Sequence, residues 1–328
     1  MPAPGEGAVL ARALALGVCG TDREIIKGDY GWAPPHRRRL ILGHESLGRV
    51  EDAPGGCGFA KGDLVVGIVR RPDPVPCPAC AAGEWDMCHN GRYTERGIKE
   101  CNGYGSEYFR IDPDFAVKID PALGQLGVLM EPASIVAKAW QQTFRIGGRS
   151  PSWQPRTALI TGAGPVGLLA ALIGKQRGLD LHIMDRNDKG PKPDLARSLG
   201  ATYHTGDLGD LKADIVIECT GADPVVLDVL KRSCPPGVVC FAGVSGGGHT
   251  TPFDAGGFNR RMVLENQAVF GSVNANRQHY RDAADALAKA DKDWLARLIT
   301  RRVPLSRWQE AFESRPGDIK VIVDFTAE

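Results

Sequence analysis

The stretch Leu159-Ile160-Thr161-Gly162-Ala163-Gly164-Pro165-Val166-Gly167 decides the fold. A Gly-x-Gly-x-x-Gly pattern alone is a weak signal, but here an apolar run, Thr157 to Thr161, precedes it and an Ala/Leu-rich run, Val166 to Ile173, follows it. The first run reads as a buried strand and the second as a helix that starts at the last glycine. In that setting Gly162 permits the tight turn, Gly164 lets a pyrophosphate approach backbone N–H groups, and Gly167 lets the helix pack against the strand.

Downstream, strand candidates Leu181 to Met184, Ile215 to Cys219, Val238 to Ala242 and Val269 to Val273 alternate with helical segments near Asp194 to Leu199 and Val225 to Arg232. Such alternation predicts a parallel, doubly wound α/β sheet. Met184-Asp185-Arg186 closes the second strand, and Asp185 lies 18 residues after Gly167. That is close to the offset of roughly 20 at which an acidic residue meets a ribose 2′-hydroxyl. The expectation is NAD as the preferred coenzyme, with NADP open because Arg186 could meet a 2′-phosphate.

Upstream the pattern is different. Ala8 to Gly17 reads as an apolar strand leading into Val18-Cys19-Gly20-Thr21-Asp22, His44 sits on a turn between short strands, and Pro72 to Cys88 is too punctuated by Pro and Cys for regular structure. Many short strands and glycines predict an irregular β-rich domain. From Glu131, the residues Ala133, Val136, Ala137 and Trp140 recur at helical spacing. Near the end, Ala283, Leu287, Trp294 and Leu298 predict one amphipathic helix, and Lys320 to Phe325 a terminal strand.

Composition narrows the class. With 328 residues, two domains with sizeable cores are expected. Forty basic against 39 acidic residues give no field for nucleic acid or an anionic membrane, and Arg37, Arg38 and Arg39 read as a solvated local cluster. No apolar segment reaches about 18 residues without a charge, and the opening residues lack signal-peptide order, so a cytoplasmic location is expected. Nine cysteines, an odd number in a reducing compartment, point to metal binding or burial rather than disulfides.

Cys19, His44 and Glu131 each occupy a turn or an element boundary. Together they supply a thiolate, an imidazole and a carboxylate, ligand types that zinc accepts, with a fourth position left for water or substrate. Zinc held this way drops the pKa of a bound water from near 16 to about 7.

These residues, with Gly17-Val18-Cys19-Gly20-Thr21-Asp22, Gly43-His44-Glu45, Glu131-Pro132-Ala133, the glycine turn and Gly271-Ser272-Val273-Asn274, resemble the zinc-dependent medium-chain alcohol/polyol dehydrogenase superfamily, in particular its glucose (aldose) 1-dehydrogenase branch. The resemblance covers nearly the whole chain. It implies a β-rich GroES-like catalytic domain at 1–137 and 276–328 and a Rossmann dinucleotide-binding domain at 138–275. Cys19, His44 and Glu131 would hold the catalytic zinc, with Glu45 a nearby carboxylate able to enter or leave its shell. Thr21 would contact the reacting hydroxyl and start a proton relay. Glu95 and Asn274 would line the sugar site near the nicotinamide, while Gly162, Gly164, Pro165, Val166, Gly167, Asp185, Arg186 and again Asn274 would bind the coenzyme.

Cys77, Cys80 and Cys88 look like the family's structural zinc loop, normally four cysteines, with the first replaced by Pro74. Asp73, His89 or Cys101 are the candidate fourth ligands, and a metal-free lobe is the alternative. The resemblance implies hydride transfer from a sugar or polyol hydroxyl, glucose C1 by default, in a homodimer or homotetramer. Rival readings are a dehydrogenase of a cyclitol, aminocyclitol or sugar alcohol, and a redox-inactive cofactor-binding protein.

Overall fold

The apolar run near the start becomes β1 (Val9–Val18), a long strand with nearly every side chain buried, and α1 (Gly20–Lys27) follows it directly. Next come β2 (Glu45–Asp52), β3 (Leu64–Gly67), β4 (Arg70–Arg71), α2 (Pro78–Ala81), β5 (Thr94–Arg96), β6 (Glu100–Cys101), β7 (Tyr108–Ile111), β8 (Ala116–Lys118) and α3 (Met130–Gly147). The chain is described by a computed structural model over residues 1–246 and 250–327. It divides into two compact units, Met1–Ser134 with Asn274–Glu328, and Ile135–Val273.

The second unit is built on β9 (Thr157–Thr161), α4 (Pro165–Gln176), β10 (Asp180–Met184), α5 (Pro191–Ser198), β11 (Thr202–His204), β12 (Ala213–Glu218), α6 (Asp223–Val229), β13 (Ser233–Phe241), α7 (Ala255–Leu264) and β14 (Ala268–Gly271). Its sheet runs β11-β10-β9-β12-β13-β14, every pair parallel. Counted from β9 this is the order 3-2-1-4-5-6 of the Rossmann fold, so the α/β expectation holds. Sheet residues Leu159, Val216 and Val239 pack with Leu208, Ala213 and Val229 as its core. The strands are apolar on both faces because parallel sheets are covered by helices on both sides.

The glycine turn behaves as its sequence demands. Gly162 has φ +89°, in the left-handed region. A Cβ on Gly167 would stand 1.8 Å from the Gly162 carbonyl oxygen, so a larger residue would push α4 off β9. Nothing lies within 4 Å of where a Gly164 Cβ would sit, which leaves open space over the N-terminus of α4.

The chain then gives α8 (Arg277–Ala288), α9 (Lys292–Leu298), β15 (Ile299–Pro304) and β16 (Lys320–Asp324). The single amphipathic helix expected here is two helices. Asn276 caps α8, and Asp291 caps α9 by accepting from the N–H groups of Asp293 and Trp294, which restarts the helix. Ala283, Leu287, Trp294 and Leu298 are nevertheless all buried, so the apolar stripe is real although the helix is broken.

The first unit's main sheet has the order β15-β16-β1-β2-β3-β8, with β7 also on β1. Strand β16 pairs antiparallel with β1, Gly17 opposite Ile322 and Val18 opposite Val321. Its core gathers Val9, Ala11, Val50, Val65, Tyr104, Phe109, Ile111 and Val323. A second, three-stranded sheet has the order β4-β5-β6. The Pro/Cys-rich lobe is more regular than expected: Pro78 at the first helical position starts α2, and a 3₁₀ turn covers Trp85–Met87. No helix among the described residues is long and apolar enough to cross a membrane.

Candidate metal centres and active site

The turn from β1 into α1 presents Cys19. It caps α1 in extended conformation, and its backbone N–H donates to Asp22 Oδ2 at 2.9 Å. His44 is the residue before β2, and Glu45 opens that strand. Side-chain donor atoms of Cys19, His44 and Glu45 lie within 4.8 Å of one another, the spacing of a metal-ligand set. His44 is 4% exposed and Glu45 1%. Glu45 fits only because Gly17 lies across the ladder from it: a Cβ there would stand 1.9 Å from Glu45 Oε2.

Glu131, in the first turn of α3, is buried but does not belong to that mutual 4.8 Å set. It shares the electrostatics. Burial pushes its carboxyl up to about 7, with His44 pulling the other way and Glu45 adding repulsion. Thr21 is half-buried, its Oγ1 4.0 Å from Cys19 Sγ. Of the expected ligands, then, Cys19 and His44 come together, Glu45 stands with them, and Glu131 stands by as a buried carboxylate.

Two residues that sequence reasoning passed over complete the arrangement. Asp22 Oδ1 lies 3.4 Å from His44 Nδ1, both buried, and neither atom has a hydrogen bond of good geometry. Burial alone would lower the imidazole's pKa, but the Asp22 carboxylate raises it well above the ordinary range. Lys320, in β16, is 2% exposed and its Nζ sits 2.6 Å from both Glu45 oxygens and 3.3 Å from the Val18 carbonyl. Burial opposes its charge and Glu45 restores it, so Lys320 is held above its usual pKa. A lysine between Ile319 and Val321-Ile322-Val323 was the available signal, because a charge in a buried apolar strand needs a partner.

The donor chemistry fits zinc. A free thiol, a buried imidazole and buried carboxylates are gathered in one place, and His44 Nδ1, Asp22 Oδ1 and the uncharged tendency of Glu131 all register an uncompensated interior.

The cysteine lobe gathers a second set, Cys77, Cys80 and Cys88, again within 4.8 Å. Cys77 Sγ accepts backbone N–H groups from Cys80 at 3.5 Å and His89 at 3.3 Å, which lower its pKa to about 6. Burial pushes Cys80 up to about 11. None of Asp73, His89 or Cys101 joins this set. Asp73 instead accepts from Val75 N and Asn90 Nδ2, both at 2.8 Å, and His89 contributes its backbone. All nine cysteines are free.

Glu95 and Asn274 meet. Asn274 Nδ2 donates to Glu95 Oε1 at 2.7 Å, both residues buried. In the second unit, Gly164, Pro165 and Val166 are half-buried at the N-terminus of α4, where N–H groups without helical partners favour an anion. Asp185, at the end of β10, is buried, and its Oδ2 accepts from Ala163 N at 2.7 Å and Lys192 Nζ at 3.3 Å. Oδ1 accepts from Asn187 N and Nδ2. Asp185 therefore ties the glycine turn to the end of β10, while Arg186 is exposed beside it.

Comparison with known proteins gives the arrangement its family. The family described as "Alcohol dehydrogenase GroES-like domain" matches residues 5–121, and "Glucose dehydrogenase C-terminus" matches residues 124–325. This chain belongs to the glucose dehydrogenase family. It is 39% identical to the glucose 1-dehydrogenase of Methanocella arvoryzae over 99% of this chain and 94% of that protein. It is 38% identical to glucose 1-dehydrogenase 1 of Caldivirga maquilingensis, over 98% and 93% of the two chains. Among solved structures, the Haloferax mediterranei glucose dehydrogenase in complex with NADP, Zn and gluconolactone superposes with a TM-score of 0.91 at 34% identity, covering 100% of this chain and 94% of that one.

Proposed function

We propose that this member of the glucose dehydrogenase family is a zinc- and NAD(P)-dependent sugar dehydrogenase that oxidises glucose at C1 by default. The observation that carries this reading is the buried donor set Cys19, His44 and Glu45, with Glu131 beside it, in a chain whose relatives are glucose 1-dehydrogenases. Cys19, His44 and Glu131 would hold the catalytic zinc, with Glu45 exchanging in. With Nδ1 turned toward Asp22, His44 has Nε2 left for ligation. Zinc, when bound, supplies Lewis acidity that eases loss of the sugar hydroxyl's proton, and the coenzyme accepts the hydride.

The chain's own residues supply position and charge. Thr21, beside Cys19, would take the hydroxyl's proton into a relay toward solvent. Lys320 holds Glu45 in place, its Nζ 2.6 Å from both carboxylate oxygens. Glu95 and Asn274 would line the sugar site. At the second unit, Gly162, Gly164, Pro165, Val166 and Gly167 would seat the pyrophosphate, with Asp185 and Arg186 at the adenine ribose, NAD being favoured over NADP.

The lobe of Cys77, Cys80 and Cys88 would hold a structural zinc, with its fourth ligand drawn from outside the three thiols. Self-association as a homodimer or homotetramer and a cytoplasmic location complete the proposal, the latter in keeping with nine free thiols.

Coenzyme-linked assays test it. Glucose should reduce NAD(P) faster than cyclitols or sugar alcohols do, and a faster cyclitol would move the substrate assignment. Asp185→Ala should raise the KM for NAD about tenfold and that for NADP less, as expected for one lost charged hydrogen bond. An equal loss for both coenzymes removes Asp185 from the ribose.

A further inference from the structure

Glu95 is held from one side only. In the small sheet it stands directly across the ladder from Arg70 on β4. Arg70 is 5% exposed, and its Nε and Nη2 both donate to Glu95 Oε1, at 3.1 and 2.9 Å. Its Nη1 donates to the Asp86 carbonyl at 3.1 Å, and its Cζ lies over the Tyr93 ring, 3.7 Å from the centroid. Three hydrogen bonds and a ring face leave that side chain one orientation.

Asn274 closes on the same oxygen. Its backbone has φ +62°, rare for a residue with a side chain, and its Oδ1 accepts from Ala275 N at 2.9 Å. That leaves Nδ2 to reach Glu95 Oε1 at 2.7 Å. Oε1 therefore accepts three N–H donors. Oε2 accepts none from the protein among the described residues, and it is not sealed from solvent. An ionised carboxylate accepts but does not donate, so a free, fixed oxygen suits a hydroxyl that donates to it.

We propose that Arg70 is a positioning residue for sugar recognition: with Asn274 it occupies Glu95 Oε1 and thereby fixes Oε2 as the acceptor for one hydroxyl of the sugar. This rests on the reading of Glu95 as a sugar contact. Lysine cannot replace the fork, because it offers a point charge without planar, paired donors.

The test is steady-state kinetics of the zinc-loaded enzyme with glucose and each of its monodeoxy analogues, for Glu95→Gln, Arg70→Met, Arg70→Lys and the Arg70→Met/Glu95→Gln pair. Zinc content and coenzyme Kd are measured on each variant. Glu95→Gln and Arg70→Met should each raise the KM for glucose about ten- to a hundredfold, the range for a hydrogen bond to a charged group, with kcat within a few-fold. Arg70→Lys should fall between wild type and Arg70→Met.

The pair should cost no more than Glu95→Gln alone, since both changes act through one oxygen. It also relieves the unpaired buried charge that destabilises Arg70→Met, so the pair reads the same kinetics in a more stable protein. The deoxy sugar that no longer responds to Glu95→Gln should likewise not respond to Arg70→Met. Additive losses, or an Arg70→Met effect equal for every deoxy sugar, overturn the inference. A large Glu95→Gln effect with a neutral Arg70→Met overturns it while leaving Glu95 a sugar contact; no Glu95→Gln effect overturns that underlying reading.

Discussion

The two sulfur-containing clusters of the first unit are built in opposite ways. Cys77, Cys80 and Cys88 come from one stretch of twelve residues, and short-range backbone N–H groups already serve the Cys77 sulfur. Cys19, His44 and Glu131 are drawn from three distant segments, and their surroundings include Asp22, Glu45 and a buried Lys320. A local cluster can close on an ion with little help from the fold. A cluster of remote donors needs the main sheet to assemble it and buried charges to balance it, and in return it can leave a position open to substrate.

The largest effect outside the ligands themselves should come from Lys320. Lys320→Met leaves Glu45 buried without its cation, and breaking such a pair costs about 3–5 kcal/mol. The expected outcome is a marked fall in the urea midpoint together with loss of activity. Unchanged stability would mean that Glu45 finds another partner.

Cys88→Ser should act the other way round. Zinc content should fall by one equivalent if the lobe is occupied, and Tm by a few degrees, as for a loss of about 1–2 kcal/mol. The kcat with glucose should stay within about twofold. A kcat collapse on this substitution would join the two clusters into one functional unit.

The smallest effect is on zinc uptake with pH. Glu131 sits at about 7 because burial disfavours its charge, and His44 is held protonated beside Asp22. Both must shed a proton to ligate, so binding releases protons and affinity rises with pH through neutrality. Competition with a zinc chelator should show at least about a tenfold weaker apparent affinity at pH 6 than at pH 7, the slope for one released proton. The lobe supplies a contrast, since Cys77 lies near 6 but Cys80 near 11.

How much of this was legible beforehand follows the same division between local and remote. The glycine turn carries its own context, so Thr157 to Gly167 announced the β9–turn–α4 unit and with it the parallel sheet. Cys77, Cys80 and Cys88 lie in one short stretch that the resemblance matches to the family's structural zinc loop. Cys19, His44 and Glu131 were readable only as a joint resemblance, because nothing in the segment around each says that the others are near. Lys320 and Arg70 stayed hidden for the same reason. Their meaning lies in partners 275 and 25 residues away, Glu45 and Glu95, and a single sequence does not print such distances. The break between α8 and α9 escaped because the apolar stripe continues across it while Asp291 restarts the helix.

The most direct measurement is glucose-dependent NAD(P)H formation before and after chelation, on wild type and Cys19→Ser, with zinc counted on the same samples. Wild type should lose turnover when the metal is stripped and regain it when zinc is returned. Cys19→Ser, one zinc short, should lose on the order of a thousandfold in kcat/KM and should not be rescued by zinc. Full turnover in metal-free protein, or in Cys19→Ser, would contradict it.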